Sequence, residues 1–179
     1  IRPFDGDGAS DPVLAGFRMG VIGSLWLLVL VALPLSYLVR VAGFPSGRRF
    51  LLLILVMMWV GDTSAFFVGK SLGRLPMAPV LSPKKTWEGA AANLLGSVVV
   101  GFLAARWLPV PGVSVLILAM LANVAGQAGD LLESAYKRSA GVKDSGQLLP
   151  GHGGMLDRID SLALAAPMAW WYLTLLTTT

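Results

Sequence analysis

Residues 50–69 read FLLLILVMMWVGDTSAFFVG, an apolar run with one carboxylate, Asp62, in its interior. Arg48 and Arg49 precede it and Lys70 follows. As a helix these 20 residues extend about 30 Å, the thickness of a hydrocarbon core. The run reaches that length only if Asp62 is accepted within it. A carboxylate at mid-membrane costs about 2.5–3.5 kcal/mol even on a lenient insertion scale, so it calls for a partner or a function.

Similar runs lie on both sides. Residues 19–39 carry no charge between Arg18 and Arg40, and Pro34 predicts a kink that membrane helices tolerate. Residues 89–108 and 113–133 follow, parted by a tight turn at Pro109, Pro111 and Gly112, with Arg106 able to snorkel to an interface. The last run, 161–176, contains Pro167 and the Trp170, Trp171, Tyr172 cluster, which suits a membrane–water boundary. Residues 70–88 and 134–160 are rich in Gly, Pro, Ser and Lys and predict long loops with short helical pieces. The expectation is an all-α integral membrane protein: a polytopic bundle of about five transmembrane helices with two long cytoplasmic loops, one domain over 1–179.

Composition excludes most alternatives. The 179 residues are 55% hydrophobic and 13% charged, against about 25% charged in a soluble domain. Mean hydropathy is +0.72. The absence of cysteine rules out a disulfide scaffold, a thiolate zinc site and a cysteine nucleophile. A net charge of +4 is too diffuse to imply nucleic acid. The basic residues inform through their sidedness instead. With five spans, one side collects Arg2, Arg18, Lys70, Arg74, Lys84, Lys85, Lys137, Arg138, Lys143 and Arg158; the other has Arg40, Arg48, Arg49 and Arg106. That bias puts both loops on the cytoplasmic face of the cell membrane.

The remaining carboxylates near the bilayer come in pairs. Asp130 closes the fourth run, with Glu133 and Lys137 at i+3 and i+7 on its face if the helix continues. Asp157 and Asp160 repeat the spacing before the fifth run. Two helix ends with two carboxylates each form a cage for a hard divalent cation such as Mg²⁺. The plainer alternative makes them interface charges, with Asp160 a helix cap and Asp62 bonded to a neighbouring helix. Residues alone leave both readings open.

The loops favour phosphate chemistry. Residues 134–160 read SAYKRSAGVKDSGQLLPGHGGMLDRID, with Lys137, Arg138, Lys143, Arg158 and the single histidine beside glycines 151, 153 and 154. Glycine lets backbone N–H groups approach phosphate oxygens, and the basic side chains supply countercharge. In the other loop Lys84 and Lys85 precede a helix whose N-terminal amides also favour an anion, although a positive-inside anchor would look the same. Gly69-Lys70-Ser71 is no P-loop, because Ser64 stands where its first glycine belongs.

The second loop matches something specific. Ser134-x2-Lys137-Arg138-x4-Lys143-Asp144-x-Gly146-x2-Leu149-Pro150-x-His152-Gly153-Gly154-Met155-x-Asp157-Arg158-Ile159-Asp160 resembles the signature of the phosphatidate cytidylyltransferases, the CDP-diacylglycerol synthases. Ser82-Pro83-Lys84-Lys85-Thr86-Trp87-Glu88-Gly89, Gly61-Asp62-Thr63 and Gly129-Asp130-Leu131-x-Glu133-Ser134 look like further parts of that family. The resemblance covers roughly residues 50–165, and the chain looks like the C-terminal catalytic part of a longer protein.

The resemblance implies a reaction: CTP and phosphatidate give CDP-diacylglycerol and pyrophosphate with Mg²⁺, in a polytopic and commonly dimeric enzyme opening to the cytoplasm. The family's metal centre is built on the aspartates that match Asp130 and Asp157, and a second cation is left open. Asp130, Asp157, Asp144 and Lys143 are then expected at the chemistry. Glu133 and Asp160 are expected as second-tier metal ligands. Ser82, Lys84, Lys85, Lys137, Arg138, His152, Gly153, Gly154 and Arg158 are expected at the substrates. The partners are CTP, phosphatidate, the bilayer and a second copy, with no nucleic acid. The rivals are a polyprenol or phytol kinase or a CDP-archaeol synthase, which lack the 152–160 run, and an ion transporter.

Overall fold

The computed structural model describes residues 32–139 and 161–178. Among them are five helices and one small hairpin: α1 (Ala32–Ala42), α2 (Gly47–Leu72), β1 (Pro76–Ala78), β2 (Ser82–Thr86), α3 (Trp87–Ala104), α4 (Gly112–Ser139) and α5 (Leu162–Thr178). Helices α2, α3 and α4 have 26, 18 and 28 residues and are long and apolar enough to cross a membrane. This is an all-α membrane protein with a two-stranded appendage. Most of the 19–39 run lies outside the described residues, and α1 is its continuation as far as Ala42.

Both polar stretches differ from expectation. Residues 70–88 hold no separate helical pieces: α2 runs on to Leu72, then β1 and β2 pair antiparallel. The three X-Pro steps explain this. Pro76, Pro79 and Pro83 lack an N–H and push Leu75, Ala78 and Ser82 away from helical angles. In a ribbon of only two strands, a proline N can face outward without breaking the ladder. The second loop begins later than expected, because α4 continues to Ser139. Nothing between Asp130 and Ser139 breaks a helix, and Glu133 and Lys137 form an i, i+4 ion pair at 3.2 Å.

The helices pack by small residues and expose large ones. Ile54, Met57, Val115, Leu118, Ala119, Ala122, Ala165 and Ala169 form the buried centre, while Trp59, Phe66, Phe67, Leu95, Phe102 and Leu103 point outward. That inversion suits a lipid solvent, where close helix approach rather than apolar burial drives association. A Cβ on Gly61 would overlap Asn93 Oδ1 and Ser97 Oγ, so only glycine lets α2 lie this close to α3. At the end of the bundle away from the hairpin, Arg40 lies 5.2 Å from the ring centres of both Tyr37 and Trp170. Arg49 there donates to the Trp107 carbonyl at 2.9 Å.

The α3–α4 contact is equally intolerant at Gly101, where a Cβ would come 2.9 Å from Ala119 Cβ. Gly101→Val is expected to lower stability by about 1–3 kcal/mol through overpacking. Gly112→Ala, whose new carbon would sit 3.5 Å from Ala105 Cβ, should change it by no more than about 0.5 kcal/mol. Thermal unfolding in detergent, followed by tryptophan fluorescence, checks both.

Candidate active site

At the hairpin end, α2, α3 and α4 diverge around a cavity of about 360 Å³. Asn123, Gln127 and Asp130 stand at i, i+4 and i+7 on α4 and so share one face. Asp62 projects from α2, Asn93 and Ala90 from α3, and β2 brings Lys84, Lys85 and Thr86 over the opening. Lys85 Nζ lies 2.5 Å from Asp130 Oδ2, both side chains about a third exposed or less. A smaller void of about 10 Å³ continues inward between Asp62, Asn93, Asn123, Gln127 and Asp130 and reaches Ser161.

The hairpin is anchored from three directions. Thr86 caps α3, its hydroxyl oxygen accepting from the Gly89 N–H at 3.2 Å. The Glu88 carboxylate accepts the N–H groups of Arg74 and Leu75 at 3.1 and 3.2 Å, and the Trp87 N–H donates to the Leu75 carbonyl at 3.0 Å. On the far side, Arg138 Nε donates to the Leu81 carbonyl at 3.3 Å, tying the hairpin to α4. Lys84 and Lys85 are therefore carried by a held element rather than by a free loop.

Below the cavity a chain of amides enters the bundle. Asn93 Nδ2 donates to Asp62 Oδ1 at 3.1 Å, and Asn93 Oδ1 accepts from Asn123 Nδ2 at 2.5 Å. Asn123 Nδ2 also donates to Ser97 Oγ at 2.7 Å, and Gln127 Nε2 donates to Asn123 Oδ1 at 2.7 Å. Ser97 and Asn123 are almost fully buried. Asp62 thus has a bonded neighbour on another helix, and it also faces the cavity.

Of the residues expected from sequence, the structure brings Lys84, Lys85 and Asp130 to the cavity. Ser82 starts β2 opposite Ala78 and is not on the wall. Glu133 and Lys137 pair with each other beyond Asp130, and Arg138 holds the hairpin. Lys143, Asp144, His152, Gly153, Gly154, Asp157, Arg158 and Asp160 lie outside the described residues. Among the described residues no three acidic or histidine side chains converge on one point. Asn93, Asn123, Gln127 and Thr86 are uncharged and did not stand out in the sequence. Amides inside otherwise apolar runs are the signal that marks three of them.

The family's sequence model, described as "Cytidylyltransferase family", matches residues 13–176. The chain belongs to the cytidylyltransferase family. Among curated proteins it is similar to the phosphatidate cytidylyltransferase of Synechocystis sp., 40% identical over 96% of this chain and 55% of that protein. It is 37% identical to the Bacillus subtilis phosphatidate cytidylyltransferase, over 89% of this chain and 61% of that one. For the enzyme of that name from Brucella abortus the figures are 43%, 72% and 48%. The chain therefore spans about half to three fifths of the length of these cytidylyltransferases.

Glu88 gives a direct check on the anchoring of the hairpin. Glu88→Ala is expected to speed hydrogen exchange at the Arg74 and Leu75 amides severalfold, since each loses its carboxylate acceptor. Hydrogen exchange read by mass spectrometry over residues 73–87 measures it.

Proposed function

We propose that this chain carries phosphatidate cytidylyltransferase activity, with CTP and phosphatidate as substrates and Mg²⁺ as cofactor. The observation that supports it most is the cavity, which sets two lysines on a held hairpin against a carboxylate at the end of apolar helices. In the reaction a phosphatidate phosphate oxygen bonds to the α-phosphorus of CTP while the α–β bridging bond breaks and pyrophosphate leaves. The nucleophile is already an anion, so no strong base is required. Positioning and neutralisation of charge carry the catalysis.

Lys84 and Lys85 would clamp phosphate oxygens entering from the aqueous side, with Lys137, Arg138, Lys143 and Arg158 as further cations. His152, Gly153 and Gly154 would meet phosphate or cytidine, and Asp144 would orient a basic partner. Asp130, with the Gln127 amide on the same wall, offers hard oxygen donors of the kind Mg²⁺ prefers. In this reading Asp130 and Asp157 hold the ion, with Glu133 and Asp160 behind them. Asp157 precedes Ser161 of the inner void by four positions in the sequence. Bound there, Mg²⁺ supplies charge neutralisation at the transferring phosphorus and the leaving pyrophosphate. Phe66 and Met77 give the cavity an apolar side, and Phe66 is itself exposed. The acyl chains can stay in lipid along that side while the headgroup reaches Asp130.

Among the described residues the hairpin end carries Lys70, Arg74, Lys84, Lys85, Lys137 and Arg138, against Arg40, Arg48, Arg49 and Arg106 at the other end. The larger number supports a site facing the cytoplasm. A homodimer belongs to the proposal on the family resemblance alone.

Incubation of the purified protein with labelled CTP, phosphatidate and Mg²⁺ should yield labelled liponucleotide and pyrophosphate. Release of CDP would indicate a lipid kinase, and ion flux without turnover a transporter. Asp130→Asn is expected to lower the rate at least about 1,000-fold with membrane insertion intact. Lys85→Ala should raise the KM for CTP or phosphatidate, lower kcat, or both, and unchanged kinetics would make Lys85 an anchor only.

A further inference from the structure

Helix α2 carries a cation at the cavity mouth that the proposed chemistry leaves unused. Ala65, Phe66 and Gly69 line the cavity, and Lys70 stands one turn beyond Phe66, about 6 Å nearer the hairpin end. At i, i+4 spacing the two side chains share one edge of the helix. The Lys70 ammonium lies 5.7 Å from the centre of the Phe66 ring. Phe66 meets Phe67 edge-on at 5.5 Å, and both rings are exposed. The cavity thus has an aromatic lip open to lipid, with a positive charge on its outer rim.

Lys85 faces Asp130, Lys137 faces Glu133 and Arg138 holds the hairpin. The Lys70 ammonium has no carboxylate or hydrogen-bond partner among the described residues, and its contact is the Phe66 ring. A lysine kept to anchor the helix in water, or to neutralise the carbonyls at the end of α2, would extend outward past Leu72. This one folds back over the i−4 ring, toward the apolar segment, and contact with a ring face leaves ammonium donors free. Ring and then cation, toward the aqueous end, is also the order of acyl chain and phosphate in a phospholipid. A nucleotide has no apolar tail to lay against Phe66, and Lys84 and Lys85 reach the cavity from a different element, β2.

We propose that Lys70 receives the phosphomonoester of phosphatidate as the lipid passes from the bilayer to the cavity, with its acyl chains against Phe66. This rests on the reaction proposed above and gives the cation to the lipid substrate rather than to CTP.

The test pairs retention of phosphatidate by the purified protein without nucleotide, counted by native mass spectrometry, with steady-state kinetics in mixed micelles. Lys70→Gln is expected to lower retention about fivefold and to raise the KM for phosphatidate by about the same factor. The KM for CTP at saturating phosphatidate should not change. Lys70→Arg keeps the charge and the donors and should stay within about twofold of wild type. Phe66→Ala should also raise the KM for phosphatidate and leave that for CTP as it is. Unchanged retention in Lys70→Gln would make Lys70 a helix anchor, and a rise in the KM for CTP alone would give it to the triphosphate; either result overturns the inference. An equal loss of retention in Arg74→Gln, which removes a charge from the same end, would mean bulk attraction and overturns it as well. So would displacement of phosphatidate by an equal concentration of glycerol 3-phosphate, since the apolar flank would then count for nothing. Lys70-dependent retention by a protein that makes no liponucleotide sinks the proposed reaction and leaves this assignment standing.

Discussion

A carboxylate placed between apolar helices must be matched by donors, and much of this bundle is arranged around that requirement. Asp62 stands past the midpoint of α2, within the segment suited to hydrocarbon. Its donor comes from α3, and Asn93 reaches it only because Gly61 leaves room on α2. Asn93 is in turn fixed from α4 through Asn123. Three helices are thus registered by one polar chain in a bundle whose other buried contacts are mostly apolar. Sliding any helix by one turn would strand buried amides, each at a cost of about 1–3 kcal/mol.

The hairpin completes the arrangement from outside the bundle. Lysines on a free loop would lose entropy on each binding event, whereas β2 holds Lys84 and Lys85 between Glu88, Thr86 and Arg138. Lys85 and Asp130 neutralise each other at the mouth of the cavity. In the proposed reaction the lysine would exchange this partner for a phosphate oxygen and the carboxylate would exchange its own for a cation. On the proposed function, a site of this kind would bring two anionic reactants together while leaving an apolar flank for lipid.

The helices were legible because apolar runs bounded by Arg and Lys report directly on the bilayer. Asp130, Lys84 and Lys85 were legible because charges near such runs are rare and their loop neighbours resemble a known signature. The hairpin was missed since Gly, Pro and Ser mark the interruption of a helix but not the element that replaces it, and three X-Pro steps decided it. The length of α4 was misjudged because Lys137 and Arg138 read as loop residues, although a helix accommodates both in its last turn. The amide relay was invisible to a count of charges. It depends on which faces of α3 and α4 meet, a property of tertiary packing. Residues 140–160, which carry most of the family signature, lie outside the described residues.

Anomalous diffraction from crystals grown with Mn²⁺ tests the central claim most directly. The account predicts a single strong peak inside the cavity, bonded to Asp130, with the Lys85 ammonium moved off that carboxylate. A peak elsewhere, or an Asp130 still paired with Lys85 at saturating Mn²⁺, would contradict it.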